Sequence, residues 1–251
     1  MTRVSVIGAL IVGDEILTGR RQDSHLQHCI QVLGERGLEL SWVRYLGDDE
    51  DRLVQTFEAI REAGDLCFSF GGIGATPDDR TRQAMARAHK VSLYRHPDAV
   101  REIEQRYGAE AYPKRILMAE FPRGSHAIPN PYNRIPGFSM GHIYCLPGFP
   151  EMAWPMMQWI LDECYPQLVA EKPLQVRLLI RETRESELID PMQRMQVLHP
   201  RVKVSSLPRF LDGGGYQVEM GLRGQREQTE SATRTLCEFL NEQGIVFEHL
   251  D

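Results

Sequence analysis

Apolar and polar residues alternate along the first part of the chain in blocks that predict strands and helices in turn. Residues 4–12 are continuously apolar, which is typical of a strand covered on both faces in a parallel sheet. Residues 40–46 and 66–70 predict two further strands, and residues 143–146 return the chain to the sheet. These segments predict the centre of an α/β domain.

Helices are predicted between the strands, where apolar residues recur at helical spacing. Their expected extents are residues 23–37, 48–64, 78–88, 98–107, 114–121 and 151–164. Asp23 or Ser24 is the expected N-cap of the first helix, and Asp78 or Asp79 begins the third. The Pro/Gly-rich residues 122–141 are expected to include a β-hairpin. This alternation predicts a mostly parallel sheet with right-handed crossovers and helices on both faces.

The composition changes after Tyr165-Pro166, and this change predicts two domains, residues 1–168 and residues 172–251. The second is expected to be a small α/β domain of βαββα order. Its strands and helices are predicted at residues 175–180, 186–198, 202–206, 216–222 and 225–243. Residues 212–215, Asp-Gly-Gly-Gly, predict a hairpin turn within it.

Composition and charge exclude some classes of function. The 251 residues are 42% hydrophobic and 25% charged, with a net charge of -6, so the positive field of a general nucleic-acid binder is missing. No segment approaches the length of a membrane-spanning apolar helix. The 5 cysteines form no C-x-x-C pair, which favours core positions in a reducing cytoplasm.

A glycine-rich segment lies between the third predicted strand and the helix that follows. Gly71, Gly72 and Gly74 have no side chains, so backbone N–H groups there can approach an anion at a helix start. No Lys-Ser/Thr pair follows, as a P-loop requires, and Pro77 stands where a dinucleotide fingerprint has its third glycine. The segment therefore predicts phosphate binding outside both motifs, and a tight turn without a ligand is the alternative.

Carboxylates follow the first and third predicted strands, as Asp14-Glu15 and Asp78-Asp79. Parallel strands bring their carboxyl ends to one edge of a sheet, so these acids are expected to share a site with the phosphate. Like charges in such proximity are unfavourable unless a cation intervenes. We therefore expect a divalent metal, Mg²⁺, Mn²⁺ or Co²⁺, held by Asp14, Asp78 and Asp79, which also become the candidates for orienting an attacking water. In the alternative, one acid of each pair is an N-cap or a solvated loop residue.

Further groups near these segments are candidate ligand contacts, although each has an ordinary structural alternative. They are Gly13, Glu15, Thr18, Ser24, His25, Thr76, Thr81, Lys114, Arg115, Arg134 and Gly148. Lys114 ranks first among the cations.

Three ordered motifs resemble one family. Residues 11–19 (IVGDEILTG) resemble the motif IGDEIL-G, residues 71–81 (GGIGATPDDRT) resemble GGxGPTxDDxT, and residues 146–152 (LPGFPEM) resemble LPGxPxEM. The chain is thus similar to the molybdopterin-binding-type (MoaB/Mog) domain, in the branch of competence/damage-inducible protein A (CinA) and the corresponding domain of eukaryotic FAD synthases. His25 stands where this family usually has Asn, and Ala75 stands where it usually has Pro.

The resemblance implies a three-layer α/β/α domain that binds a small nucleotide or pterin and forms a dimer or trimer. It implies a metal-dependent pyrophosphatase acting on ADP-ribose or FAD-like dinucleotides in this branch, and molybdopterin binding in a more distant one. The residues carried over by position are Asp14, Gly71, Gly72, Gly74, Asp78, Asp79 and Thr81, with Lys114 and Gly148 in support. Hydrolysis, binding without turnover and a scaffold role in assembly with a partner are three alternatives at this point.

Overall fold

The computed structural model describes residues 6–210 and 215–250, and the chain divides into two compact units, residues 1–170 and residues 171–251. The first unit alternates strands and helices. In chain order these are β1 (Ile7–Val12), α1 (Asp14–Leu17), α2 (His25–Glu35), β2 (Trp42–Leu46), α3 (Glu50–Ala63), β3 (Leu66–Phe70), α4 (Thr81–Ala88), β4 (Leu93–Arg95), α5 (Pro97–Tyr107), β5 (Glu120–Pro122), β6 (His126–Ile128), β7 (Gly137–Met140), β8 (Ile143–Leu146) and α6 (Pro150–Trp159).

A six-stranded sheet forms the centre of this unit, in the spatial order β2-β1-β3-β8-β7-β6. The strands β2, β1, β3 and β8 run parallel, and β7 is antiparallel to both of its neighbours. The strands β6 and β7 arise from the Pro/Gly-rich stretch in which a hairpin was expected. The predicted α/β class with a mostly parallel sheet is confirmed.

Helices cover both faces of the sheet, which makes three layers. Along β1, Leu10 and Val12 belong to the apolar core on one face, whereas Ala9 and Ile11 belong to the core on the other. The first core is completed by α3, α4 and α5, and the second by α2 and α6. Because no side of β1 faces solvent, its sequence is continuously apolar rather than alternating.

Two predicted elements differ from the structure. The helix expected at residues 114–121 is a 3₁₀ turn, Arg115–Ala119, followed by β5, in which Phe121 pairs with Tyr94 of β4. Pro122 explains the difference, because a proline disfavours helical backbone at the residue before it. The helix α4 begins at Thr81 and neither Asp78 nor Asp79 caps it.

The other expected N-cap is Asp23. Its carboxylate accepts hydrogen bonds from the backbone amides of His25 at 2.9 Å and Leu26 at 3.1 Å. The side chain of Ser24 makes no capping hydrogen bond. Asp23 therefore satisfies two of the amides that the first turn of α2 leaves without helical partners.

The second unit has a separate core and a four-stranded antiparallel sheet. Its elements are β9 (Leu174–Arg181), α7 (Ile189–Leu198), β10 (Lys203–Phe210), β11 (Tyr216–Gly224), α8 (Arg226–Glu242) and β12 (Phe247–Leu250), with the sheet order β10-β11-β9-β12. The strand β12 extends the predicted βαββα order. Of the turn expected at residues 212–215, only Gly215 lies within the described residues. Across residues 6–210 and 215–250, no helix has the length and apolar character needed to cross a membrane.

We predict that Leu10→Ala destabilises the first unit by about 2–5 kcal/mol, because the side chain is fully buried against α3 and α4 and its loss leaves a cavity. Urea unfolding measures this change. The control is Leu17→Ala, where the side chain is 55% exposed and a change within about 0.5 kcal/mol is expected. Equal effects of the two substitutions would contradict the assignment of Leu10 to the core.

Candidate functional site

Four loops meet where the parallel strands end, and we call this place the carboxyl edge. They follow the neighbouring strands β2, β1, β3 and β8 and contain residues 47–48, 13–15, 71–79 and 147–149. Strand pairing extends into two of them, since the Gly13 amide donates to the Leu46 carbonyl and the Gly71 amide to the Leu146 carbonyl, both at 2.9 Å. The structure thus brings the predicted glycine and carboxylate segments together at one edge.

The loop after β3 is shaped by hydrogen bonds from the start of α4. The Thr81 hydroxyl donates to the Gly71 carbonyl at 2.9 Å, and the Thr81 amide donates to the Gly72 carbonyl at 3.0 Å. The Arg82 guanidinium donates to the Gly74 carbonyl. Three loop carbonyls are therefore turned toward α4.

The orientation of these carbonyls fixes the direction of the amides that follow them. In a trans peptide the N–H points opposite to the C=O, so the amides of Gly72, Ile73 and Ala75 point away from α4. Within the described parts of the chain, no acceptor is hydrogen-bonded to the amides of residues 72–75. Successive backbone amides without internal acceptors are the groups from which concave anion sites are built.

Glycine is required in this loop for steric reasons. Gly71 has φ +104°, and a Cβ there would collide with the Val12 carbonyl of the neighbouring strand. Gly72 has φ +68°, and a Cβ there would collide with the Thr81 hydroxyl. The two glycines therefore permit the close packing that orients the loop.

The amides open onto a cleft of about 420 Å³, a volume typical of small-molecule sites. Residues 72–76 and Asp79 form one wall. The remaining lining is mostly apolar and consists of Met118, Asn130, Asn133, Ile135, Pro136, Pro147, Gly148, Phe149 and Met152. A polar backbone wall that faces an apolar wall matches a ligand with a phosphate at one end and a planar ring at the other.

Carboxylates crowd the carboxyl edge beside the cleft. The Asp14 amide donates to the Asp48 carboxylate at 3.0 Å, and the Asp48 amide donates to the Asp14 carboxylate at 3.3 Å. Burial raises the pKa of Asp48, and the charges of Asp14, Glu15 and Asp78 raise it further. These influences place four acids within electrostatic reach of one another.

The predicted metal set of Asp14, Asp78 and Asp79 does not converge on one point. Asp79 turns to Thr76 instead, and its carboxylate accepts hydrogen bonds from the Thr76 amide at 2.9 Å and the Thr76 hydroxyl at 2.5 Å. Among residues 6–210 and 215–250, no three His, Cys, Asp or Glu side chains form a metal-holding group. The donors at this edge are carboxylate oxygens, the ligand type of Mg²⁺, and a metal held by so few of them would need phosphate oxygens and water to complete its coordination.

Several predicted contacts lie away from the cleft. Its lining does not include Thr18, Thr81, Lys114, Arg115 or Arg134, and the predicted residues Gly13, Asp14, Gly71 and Asp78 lie at the carboxyl edge outside that lining. Thr18 donates to the Asp14 carbonyl, Arg115 pairs with Glu110, and Arg134 pairs with Glu102. Lys114 is exposed at the start of a 3₁₀ turn, and the buried Thr81 hydroxyl supports the glycine loop. The sequence could not place these groups because their positions depend on the path of the loops.

Glu15, Ser24 and His25 line a small cavity that shares Gly148 with the lining of the cleft. The cavity has only about 20 Å³ of free space, so it is too small for a nucleotide. These three residues therefore lie next to the cleft and are not part of its lining.

Two residues of the site were missed by the sequence analysis. Asp48 was assigned to a helix start, although Gly47-Asp48 after β2 repeats the Gly13-Asp14 pattern of the neighbouring strand. Arg82 is 3% exposed and donates to the carbonyls of Leu117 and Glu120 as well as Gly74. The sequence feature that could have indicated Arg82 is its position as a charged residue next to the small apolar residues of α4.

Fold and site together define an α/β/α domain with a glycine-rich loop beside an acidic edge. The chain belongs to the family described as probable molybdopterin binding domains, whose model matches residues 8–168. The resemblance read from the three motifs is thereby confirmed.

Related proteins agree with this membership. A protein of Caldivirga maquilingensis is 30% identical over 231 residues, 87% of this chain and 88% of that protein. A CinA-like protein of Syntrophus aciditrophicus is 33% identical over 151 residues, 57% of this chain but only 36% of that protein. The crystal structure of CinA from Thermoplasma acidophilum, described as a protein of unknown function, has 27% identity and a TM-score of 0.58, covering 66% of this chain and all of that one.

We predict that Arg82→Met lowers the free energy of unfolding by at least about 1–3 kcal/mol, because the substitution removes the buried guanidinium that donates hydrogen bonds to three carbonyls. It also accelerates hydrogen exchange in residues 71–79. The matched control is Arg87→Met on the same helix, an exposed residue that pairs with Glu50 and Asp51. Equal unfolding free energies and equal hydrogen-exchange rates in the two variants would show that Arg82 does not stabilise the glycine loop.

Proposed function

We propose that the first unit binds a phosphate-bearing nucleotide or pterin in the cleft and hydrolyses the pyrophosphate of ADP-ribose or FAD-like dinucleotides with a divalent metal. The observation that carries this proposal is the orientation of the glycine loop. Its carbonyls are held by Thr81 and Arg82, so the amides of Gly72, Ile73 and Ala75 point away from α4 in a loop that lines the cleft.

The shape of the cleft supports this class of ligand. The amides of residues 72–75 offer donors to phosphate oxygens, and the described residues that line the cleft include no cationic side chain. The opposite wall offers Ile135, Phe149 and Met152 to an aromatic ring. A dinucleotide and molybdopterin both combine a ring with phosphate, so both belong to the proposed class.

Asp14 and Asp78 are the proposed metal ligands, with Asp48 beside them and Asp79 fixing the loop through Thr76. A divalent metal supplies charge neutralisation and lowers the pKa of a bound water. Water attacks one phosphorus, the bridging P–O bond breaks, and AMP and a second phosphate monoester are released. The amides of residues 72–75 stabilise the negative charge that develops on the phosphate oxygens.

The test is to incubate the purified chain with ADP-ribose or FAD and Mg²⁺, Mn²⁺ or Co²⁺, and to measure AMP by chromatography. We expect AMP with at least one metal and none in the presence of a chelator. Absence of AMP with every metal contradicts hydrolysis. If ADP-ribose or molybdopterin still raises the melting temperature in that case, the second candidate function, binding without turnover, is favoured.

We predict that Asp14→Asn lowers AMP formation by about 100-fold or more, the usual scale for losing a group that positions or activates the attacking water. The amide side chain keeps an oxygen for the Asp48 amide while losing the charge that attracts the metal. The matched control, Asp51→Asn, removes an exposed carboxylate that pairs with Arg87 and leaves the rate unchanged. Similar rates for the two variants exclude Asp14 as a metal ligand.

The second candidate is a molybdopterin-binding protein without hydrolytic turnover. The observation that favours it is that the described carboxylates do not form a metal-holding group of three. The family description, probable molybdopterin binding domain, points in the same direction. The expected dimer or trimer stays a prediction under either function.

A further inference from the structure

His25 begins α2 directly behind the loop that follows β8. Its imidazole is 5% exposed and stacks on the Phe70 ring with 4.4 Å between the ring centroids. The Nε2 atom lies 3.3 Å from the Gly148 carbonyl oxygen, and the Trp154 indole N–H donates to Nδ1 at 3.3 Å. The side chain therefore joins the end of β3, the Gly148 loop and α6.

These two contacts allow only one protonation state of the imidazole. An indole N–H is a donor only and a carbonyl is an acceptor only. Nδ1 must therefore be unprotonated, and Nε2 must carry the proton that it donates to Gly148. A second proton, on Nδ1, would face the Trp154 N–H and replace a hydrogen bond by a repulsive pair of donors.

The carbonyl that His25 holds belongs to the wall of the ligand cleft. Gly148 and its neighbours Pro147 and Phe149 line the cleft, and a Cβ on Gly148 would be in ordinary van der Waals contact with the Gly71 Cα at 3.4 Å. The Arg21 guanidinium lies 5.2 Å from the centre of the Phe149 ring. The segment whose carbonyl His25 contacts is therefore a neighbour of the glycine loop.

Charged and titratable groups surround the imidazole on several sides. Burial lowers the pKa of His25 below its ordinary value of 6.5, while the Gly148 hydrogen bond and Asp23 act to raise it and Arg21 to lower it. The other groups in its surroundings are Glu15, His28 and Tyr45. Burial also lowers the pKa of His28, whose ring stacks on Trp154. At neutral pH both imidazoles are uncharged.

We propose that His25 is a positioning residue whose neutral imidazole holds the Gly148 loop in the ligand-binding arrangement, so that protonation of His25 weakens binding in the cleft. This inference rests on one part of the proposed function, namely that the ligand binds in this cleft. The direction of the pH dependence follows from the buried neutral form. The affinity for the ligand has its highest value above pH 6.5, where His25 is neutral. It falls as the pH drops through the pKa of His25 in the folded chain, which lies below 6.5.

The experiment measures binding of ADP-ribose, without metal, between about pH 5 and 8 by calorimetry. ADP-ribose is chosen because its pyrophosphate diester does not titrate in that window. The wild-type chain is expected to lose affinity toward acid pH. His25→Gln offers Gly148 an N–H donor that does not titrate, so its affinity is expected to be independent of pH.

Two further variants separate positioning from general stability. His25→Leu removes the donor to Gly148 and is expected to weaken binding about tenfold at neutral pH, the equivalent of one hydrogen bond. His28→Gln is the matched control, because His28 contacts Trp154 but not the Gly148 loop, and it is expected to keep the wild-type profile. The inference is overturned if His25→Gln retains the acid-dependent loss or if His28→Gln abolishes it.

A readout without ligand keeps this inference distinct from the proposed function. Amide hydrogen exchange of Gly148 and Phe149, corrected for its intrinsic pH dependence, is expected to become faster toward acid pH in the wild-type chain but not in His25→Gln. If ADP-ribose does not bind at any pH, the proposed function fails while this measurement still decides the role of His25. Identical opening in both chains contradicts the inference.

Discussion

The candidate site depends on the hydrogen bonds by which Thr81 and Arg82 hold the carbonyls of the glycine loop. Turning those carbonyls toward α4 makes the amides that follow them point away from α4, because the peptide unit is rigid and planar. The arrangement places a buried guanidinium beneath an anion site, where its charge is poorly screened by solvent. The glycines make this loop conformation sterically possible, whereas the donors Thr81 and Arg82 on α4 determine which way its carbonyls point.

The acids at the carboxyl edge are held by a second constraint, the exchange of hydrogen bonds between Asp14 and Asp48. Each carboxylate accepts the other residue's backbone amide, so the loops after β1 and β2 are fixed relative to each other. The repulsion among these charges is tolerated in an exposed setting and is relieved by any bound cation. His25 holds the loop after β8 through the Gly148 carbonyl, and Thr81 and Arg82 hold the loop after β3. Each of the four loops at the carboxyl edge is therefore held by hydrogen bonds from residues that do not line the cleft, apart from Gly148 itself.

Much of the sheet could be predicted because buried parallel strands are continuously apolar. The bounds of β3 and β8 match their predicted residues, and the shared edge of the glycine and acidic segments follows from parallel topology. The segment at residues 115–122 was misassigned because its local pattern resembles a helix, whereas pairing of Phe121 with Tyr94 makes it end as a strand. The short β12 was missed because its register is set by β9, far away in the chain.

By itself, the sequence determined the α/β class, the separate C-terminal unit and the family, and it predicted that two segments of the candidate site share one edge of the sheet. These depend on periodicity and on motifs whose residues are close together in the chain. Only the tertiary structure decided that Asp79 turns to Thr76, that Arg82 and Asp48 belong to the site, and that Lys114 does not line the cleft. The hydrogen bonds of Asp48 with Asp14 and of Arg82 with Leu117 join residues far apart in the chain, and no local pattern encodes such pairs. Asp79 and Thr76 are close in sequence, and there the path of the folded loop decides which group the carboxylate contacts.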